Sequence, residues 1–370
     1  MAEELRYWIG FNLVKGIGPA KVRRLLDHFG DLATAWSARA EELRLAGLDR
    51  RSLENLVAAR AGIDLDLALK RVEQAGIQVL TWDDAEYPRN LLNIAQPPPV
   101  LYVKGKLNPA DEWAVAMVGT RHASAYGREV ARDLATGLAA SGVTVVSGLA
   151  RGIDAVAHRA ALEAGGRTLA VLGCGLDHIY PPENRALAES IIQSGALVSD
   201  YPLGTPPESA NFPPRNRIIS GLSKGVLIVE APVGSGALIT ADYAAEQGRD
   251  VFAPPGNLLQ PSCRGTNKLI QLGAKLVLEV TDILEELNLA IVTEHKAARA
   301  ALPADETEQQ LLAHLSAEPV HVDDLGTQIG LPIAQVSGAL ALMELKGLVR
   351  QVGGMNYIVA KEERAEYWVE

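Results

Sequence analysis

Between Trp113 and Leu278, short apolar runs at 114–118, 143–147, 168–172, 196–199, 225–230, 250–253 and 275–278 alternate with stretches of helical periodicity. Those stretches fall near 124–141, 152–165, 183–194, 214–222, 236–248 and 264–272. Apolar strands without polar alternation, each returned by a helix, predict an α/β domain: a parallel sheet with helices on both faces. Two earlier runs, Ile77-Gln78-Val79-Leu80 and Val100-Leu101-Tyr102-Val103, are also strand-like. A ligand of such a sheet sits beyond the carboxyl ends of the strands, so the residues that follow each strand carry the function.

Those residues are rich in glycine and arginine. The first strand is followed by Gly119-Thr120-Arg121-His122-Ala123-Ser124, the second by Ser147-Gly148-Leu149-Ala150-Arg151-Gly152-Ile153-Asp154, and the third by Gly173-Cys174-Gly175-Leu176-Asp177 with Tyr180-Pro181-Pro182. After the fourth comes Ser199-Asp200-Tyr201-Pro202, then the run Asn211-Phe212-Pro213-Pro214-Arg215-Asn216-Arg217-Ile218-Ile219. Ala231-Pro232-Val233-Gly234-Ser235-Gly236 with Thr240 follows the fifth, and Pro254-Pro255-Gly256-Asn257 the sixth. Glycines let the backbone close on an anion, helix starts favour negative charge, and arginine grips phosphate through paired hydrogen bonds. Six such strand ends on one edge make a phosphate-lined surface larger than one small cofactor needs. A dinucleotide site requires Gly-x-Gly-x-x-Gly after the first strand and an acid roughly 20 residues on; both are missing, as is a Gly-Lys-Ser/Thr loop. No cofactor, metal-ligand set or catalytic group is expected. A polyanion held at several phosphates fits better, with Phe212 placed to stack on a base.

These motifs closely resemble the DprA/Smf family of DNA-processing proteins over residues 80 to 288. The resemblance rests on Val118-Gly119-Thr120-Arg121 with Tyr126-Gly127, Ser147 to Asp154 with His158, Ala170 to Asp177 with Tyr180-Pro181, Phe212 to Ile219, Gly234 to Ala241, and Pro255-Gly256. It implies an extended Rossmann-like domain that binds and protects single-stranded DNA, forms a homodimer through that domain, and loads the RecA recombinase during DNA uptake and natural transformation. The residues it marks for DNA are Gly119, Thr120, Arg121, Gly148, Phe212, Arg215, Asn216, Arg217, Lys224, Ser235, Gly236 and Thr240. Which of Arg215 and Arg217 faces the strand stays open, because neighbours two apart on a helix point in different directions. The rival is an enzyme: Gly234-Ser235-Gly236 resembles the signature loop of lysine-decarboxylase-like phosphoribohydrolases. There, however, Thr240 stands where a catalytic Glu belongs, and a hydroxyl cannot serve as the carboxylate base. His158 and Asp154, on one side of a helix, are read as ordering the second loop, Asp177 and Tyr180 as fixing the third, and Cys174 as a small packed residue.

The flanks differ in kind. Residues 1–76 read as a helical domain of helix-hairpin-helix or SAM-like type, with the tight turn Lys15-Gly16-Ile17-Gly18-Pro19 either gripping phosphates or serving as an αα corner. Residues 77–288 form the central domain and 289–304 an Ala-rich linker. Helical stretches at 307–315, 322–329 and 333–345, followed by a hairpin around Gly353-Gly354, predict a winged helix over 305–361. Charge is uneven: residues 303–370 hold 4 basic and 11 acidic side chains, and so account for −7 of the net −10. The 333–344 helix holds no basic residue, which disfavours insertion into a duplex groove and points to a protein-contacting or regulatory role. Two cysteines, Cys174 and Cys263, cannot form a disulfide framework; with no secretory signal or membrane-length apolar run, a reduced cytoplasmic setting is expected.

Overall fold

The computed structural model describes residues 2–289, 306–316, 319–345, 349–352 and 355–359. It comprises two compact units, Met1–Leu289 and Ala290–Glu370.

The first unit begins with six helices: α1 (Ala2–Leu13), α2 (Pro19–Phe29), α3 (Leu32–Ser37), α4 (Ala40–Leu45), α5 (Arg50–Gly62) and α6 (Leu65–Gln74). Asp31, Asp49 and Asp64 start α3, α5 and α6 by accepting hydrogen bonds from Thr34, Ser52 and Leu67 N–H, the role short polar side chains play at helix starts. Phe11, Leu25, Leu43 and Leu56 form the buried centre. The Gly16–Pro19 turn is held from within: Gly16 O accepts from Lys21 Nζ at 2.9 Å and Ser52 Oγ at 3.1 Å, and Lys15 O accepts from Asn55 Nδ2 at 2.7 Å. Lys21 also pairs with Asp49. The turn is thus held against α5 through its carbonyls, with one of its cations already paired. Gly76, in the left-handed region at φ +64°, ends this segment, yet its core runs on into Tyr102, Leu149, Leu172 and Leu176 of the sheet region. A change of pattern marks position 76 without a break in packing.

The sheet has nine strands: β1 (Gln78–Thr81), β2 (Val100–Gly105), β3 (Ala114–Val118), β4 (Thr144–Ser147), β5 (Thr168–Val171), β6 (Ala196–Ser199), β7 (Gly225–Ile228), β8 (Asp250–Ala253) and β9 (Lys275–Leu276). Their spatial order is β1-β2-β6-β5-β4-β3-β7-β8-β9. From β6 to β9 every pairing is parallel; β2 runs antiparallel to β6, and β1 antiparallel to β2. The two early strands thus extend the sheet on the β6 side. The short α7 (Arg89–Leu92) lies between them in the chain, and α8 (Ala125–Ala140), α9 (Ile153–Glu163), α10 (Arg185–Ser194), α11 (Phe212–Gly221), α12 (Gly236–Glu246), α13 (Arg264–Gln271) and α14 (Val280–Glu286) return the chain after successive strands. Strands expected at seven places lie at those places, shortened by up to two residues at the ends. Because β4, β5 and β6 lie on one side of β3 and β7, β8 and β9 on the other, the order reverses at β3, and the carboxyl edge there opens a crevice.

The second unit contains α15 (Glu306–His314), β10 (Val320–His321), α16 (Val322–Ile329), α17 (Ile333–Leu345), β11 (Val349–Gln351) and β12 (Asn356–Val359). Leu311, Leu325, Val336, Leu340, Met343 and Tyr357 fill its core. The expected three helices and hairpin are present. A further strand, β10, pairs antiparallel with β12 to complete a winged helix. The expected 289–304 linker falls, beyond Leu289, outside the described residues.

Candidate nucleic-acid interface

Four strand ends converge on one shallow, open depression beside the switch point, lined by Arg121, Gly148, Ala150, Arg151, Tyr180, Pro181, Phe212 and Arg215. Phe212 opens α11, where Pro213 and Pro214 suit the first turn. Its ring lies over Gly173, where an added Cβ would come within 2.9 Å of Phe212 Cδ1, so only glycine lets the ring settle. Tyr180 stands beside it, ring centroids 5.8 Å apart and planes inclined by 31°. The Arg121 guanidinium lies 5.4 Å and that of Arg215 5.8 Å from the Phe212 centroid, both within cation–π range.

The two arginines differ in burial. Arg121 is exposed, and no ion pair engages it among the described residues. Arg215 is 5% exposed; its Nη1 donates to Gly148 O at 2.9 Å and to Val171 O. Asp154 sits behind it, accepting from Gly148 N at 3.1 Å and Ala150 N at 3.4 Å. Burial pushes the Asp154 carboxyl up and the Arg215 guanidinium down, each opposed by the other's charge. Gly148 is wedged between them: a Cβ there would lie 2.8 Å from both Arg215 Nη2 and Asp154 Oδ2. Arg215 is therefore the floor of the cavity and Arg121 its free cation.

The Gly119–Ser124 loop is shaped by Glu230. Thr120 N donates to Glu230 O at 2.7 Å, Ser124 N donates to the Glu230 carboxylate at 2.9 Å, and Ser124 Oγ in turn caps α8 through Gly127 N. Gly119 packs on Ile153, leaving no room for a side chain. Asn216 bridges outward, its Nδ2 donating to Gly236 O at 3.2 Å, and Ser235 caps α12. The two motifs are thus joined across the crevice.

Several expected contacts are placed elsewhere. Arg217 Nη2 pairs with partly buried Asp200 at 2.6 Å and its Nη1 donates to Gln96 O at 2.8 Å, so this guanidinium holds the fold and is not available to a phosphate. Lys224 precedes β7: its N–H bonds Ala114 O at the start of β3, and its ammonium lies over Trp113 and 3.8 Å from Glu112. That is the amino edge, opposite Arg121. Thr240 is 1% exposed within α12 and does not line the cavity. His158 does not bond Asp154. Its Nδ1 meets Thr168 Oγ1 at 2.6 Å, whose hydroxyl donates to Val145 O, so Nδ1 is the donor and the ring ties α9 to β5. Asp154, without His158, orders the second loop together with Arg215 and Asn184, which donate to its carbonyls. The Cys174 thiol, pushed up to about 11 by burial, packs and donates to His178 O. Asp177 does fix the third loop through Gly204 N, at 2.9 and 3.0 Å. Tyr180, expected only to stiffen that loop, contributes an aromatic wall; an aromatic directly after a glycine-rich strand end was the available signal.

A parallel α/β sheet whose carboxyl edge carries an aromatic and arginine cavity, followed in the chain by a winged helix, has the form of a nucleic-acid-handling protein. The chain belongs to the DNA recombination-mediator protein A family, whose description matches residues 78–288, with the DprA winged helix domain matching 295–355. It is 39% identical to Protein Smf of Synechocystis over 96% of this chain and 98% of that one, and 41% identical to Protein Smf of Escherichia coli over 84% and 85%. Among solved structures it resembles DNA processing protein A from Streptococcus pneumoniae, with a TM-score of 0.68 and 35% identity over 77% of this chain and 98% of that one. It also resembles DNA processing protein A from Helicobacter pylori, described for its single-stranded DNA binding mode, with a TM-score of 0.51 and 31% identity over 57% and 95%. Among the described residues no helix is long and apolar enough to cross a membrane.

Proposed function

We propose that this chain binds single-stranded DNA along the carboxyl edge of its sheet, taking a base into the Arg121–Tyr180–Phe212 cavity, and delivers the strand to a RecA-type recombinase without chemistry of its own. The observation that carries the reading is the Phe212 ring, walled by Tyr180 and flanked by an exposed and a buried guanidinium. An aromatic face accepts any unpaired base, and a cation beside it meets the adjoining phosphate; paired bases in a duplex cannot enter. Gly119, Thr120, Gly148, Asn216, Ser235 and Gly236 would shape the edge, and Arg121 would be its phosphate ligand. Membership of the mediator family supports delivery to RecA and a part in DNA uptake. A homodimer through this unit is supported by the β9 edge, where Leu272, Leu276 and Leu278 are exposed beside unpaired strand groups. The test is a gel shift comparing single- and double-stranded oligonucleotides of one sequence, with wild type and Arg121→Ala. Preference for the single strand, lost in the variant, is expected; equal retention of duplex, or a variant that binds as wild type does, overturns the reading.

A further inference from the structure

A second, larger opening adjoins the base cavity and shares Arg121 and Arg151 with it. It is an open cleft between the start of α8, the start of α9 and the turn at Asn184. Arg121, His122, Arg128, Arg151 and Arg159 line it, and no acid does. In a chain of net charge −10 that local excess stands out. The guanidiniums are only lightly engaged. Arg128 bonds a backbone carbonyl, that of Ala123, and Arg159 reaches Asn184 Oδ1 at 3.4 Å. Arg151 alone has a carboxylate partner, Glu183, on the rim. Their pairing holds the Glu183 carboxyl below and the Arg151 guanidinium above their usual ranges.

Resting on the single-strand reading above, we infer that this cleft is a track for successive phosphates of the strand whose base occupies the Phe212 cavity, and that Glu183 competes with those phosphates for Arg151. A base held over Phe212 leaves its own phosphate near Arg121, the residue common to both openings, so the next phosphates enter the cleft. Arg128 and Arg159 then act as paired-donor grips, with the first turns of α8 and α9 aimed at the same negative charge. Glu183 must yield Arg151 before the track is filled. The strand therefore meets a carboxylate that weakens its hold at one point, and binding is tighter without that carboxylate.

The experiment uses the full chain and fluorescence anisotropy with an oligothymidylate long enough to pass beyond the base cavity, over a range of salt. Glu183→Gln is expected to tighten binding about 2- to 5-fold at low salt, the scale of one exposed charge pair, with the gain fading as salt rises. A gain in affinity is not a result that misfolding can produce. Arg128→Ala with Arg159→Ala is expected to weaken binding and to flatten the log–log salt dependence by about 0.7 for each phosphate lost. An unchanged slope in the double variant, or unchanged or weaker binding in Glu183→Gln, overturns the track. Phe212→Ala run alongside separates the two ideas. If it weakens binding while the cleft variants do not, only the track is wrong; if it too binds as wild type does, the base cavity is wrong.

Discussion

Replacing Phe212 by alanine tests the base cavity most directly. The ring is half-buried, with Tyr180 beside it at 5.8 Å, Gly173 against it and the Arg121 and Arg215 guanidiniums over it. Stacking a single base on an aromatic contributes about 1–3 kcal/mol, which raises Kd by about 5- to 150-fold when the ring is lost. Phe212 is half-buried at the first position of α11, where alanine is accepted, and Pro213 and Pro214 remain to start the helix. Folding should therefore survive, as a thermal melt would show. Phe212→Leu is the companion: it restores bulk over Gly173 but offers no π face, so it should recover stability without affinity. Anisotropy titrations at several salt concentrations add a second criterion. Because the ring touches no phosphate, the salt slope should stay at the wild-type value, whereas Arg121→Ala should lower it by about 0.7. A Kd for Phe212→Ala within about twofold of wild type refutes the argument, since even weak stacking exceeds that.

Other perturbations follow from the same geometry. Gly173→Ala places a Cβ 2.9 Å from Phe212 Cδ1 and should displace the ring, weakening single-strand binding in an anisotropy titration; wild-type affinity would show that the ring's position does not matter. Burial, aided by the charges of Arg215 and Arg159, depresses the His158 imidazole from 6.5 to about 3. The unfolded chain therefore takes up a proton in that interval and the folded chain does not, so stability is full above about pH 6.5 and falls by up to about 1.4 kcal/mol per unit below it. His158→Gln should lose less Tm than wild type between about pH 7 and about pH 5, and equal losses would remove His158 from the acid response. Residues 303–370 alone should leave a DNA duplex unshifted at moderate salt, given 4 basic against 11 acidic side chains; a tight shift would reverse the protein-contacting reading of the winged helix.

The parallel sheet was legible because its strands are short apolar runs separated by helix-length intervals, and the site because glycine and arginine recur where those strands end. Features fixed by pairing at a distance were not legible. Nothing local shows that β2 reverses direction against β6, or that Asp200 captures Arg217 and leaves Arg215 under the ring. Lys224 could have been excluded from the sequence alone: it precedes its strand, and residues before a parallel strand lie on the amino edge. Arg128 and Arg159 carry no local signal in the sequence, since only the packing of α8 beside α9 turns them toward one cleft. His158 and Asp154 share a helix face, but Thr168, on the neighbouring strand, decides the histidine's partner.

The buried Asp154–Arg215 arrangement bears on how such a site can change by mutation. Asp154 holds two loop amides and faces the cation that forms the cavity floor. Removing either group strips a compensating charge from the other, which is buried, and breaks the loop hydrogen bonds it makes, a loss that counts against a total stability of about 5–15 kcal/mol. A lineage stepping one substitution at a time must cross that penalty, so the floor is closed to drift unless both positions change together. The exposed rim carries no such lock: Arg128, Arg159 and Glu183 can each be exchanged alone. Descendants of this chain can therefore retune how firmly they hold a ligand by altering the rim, while the floor is inherited unchanged.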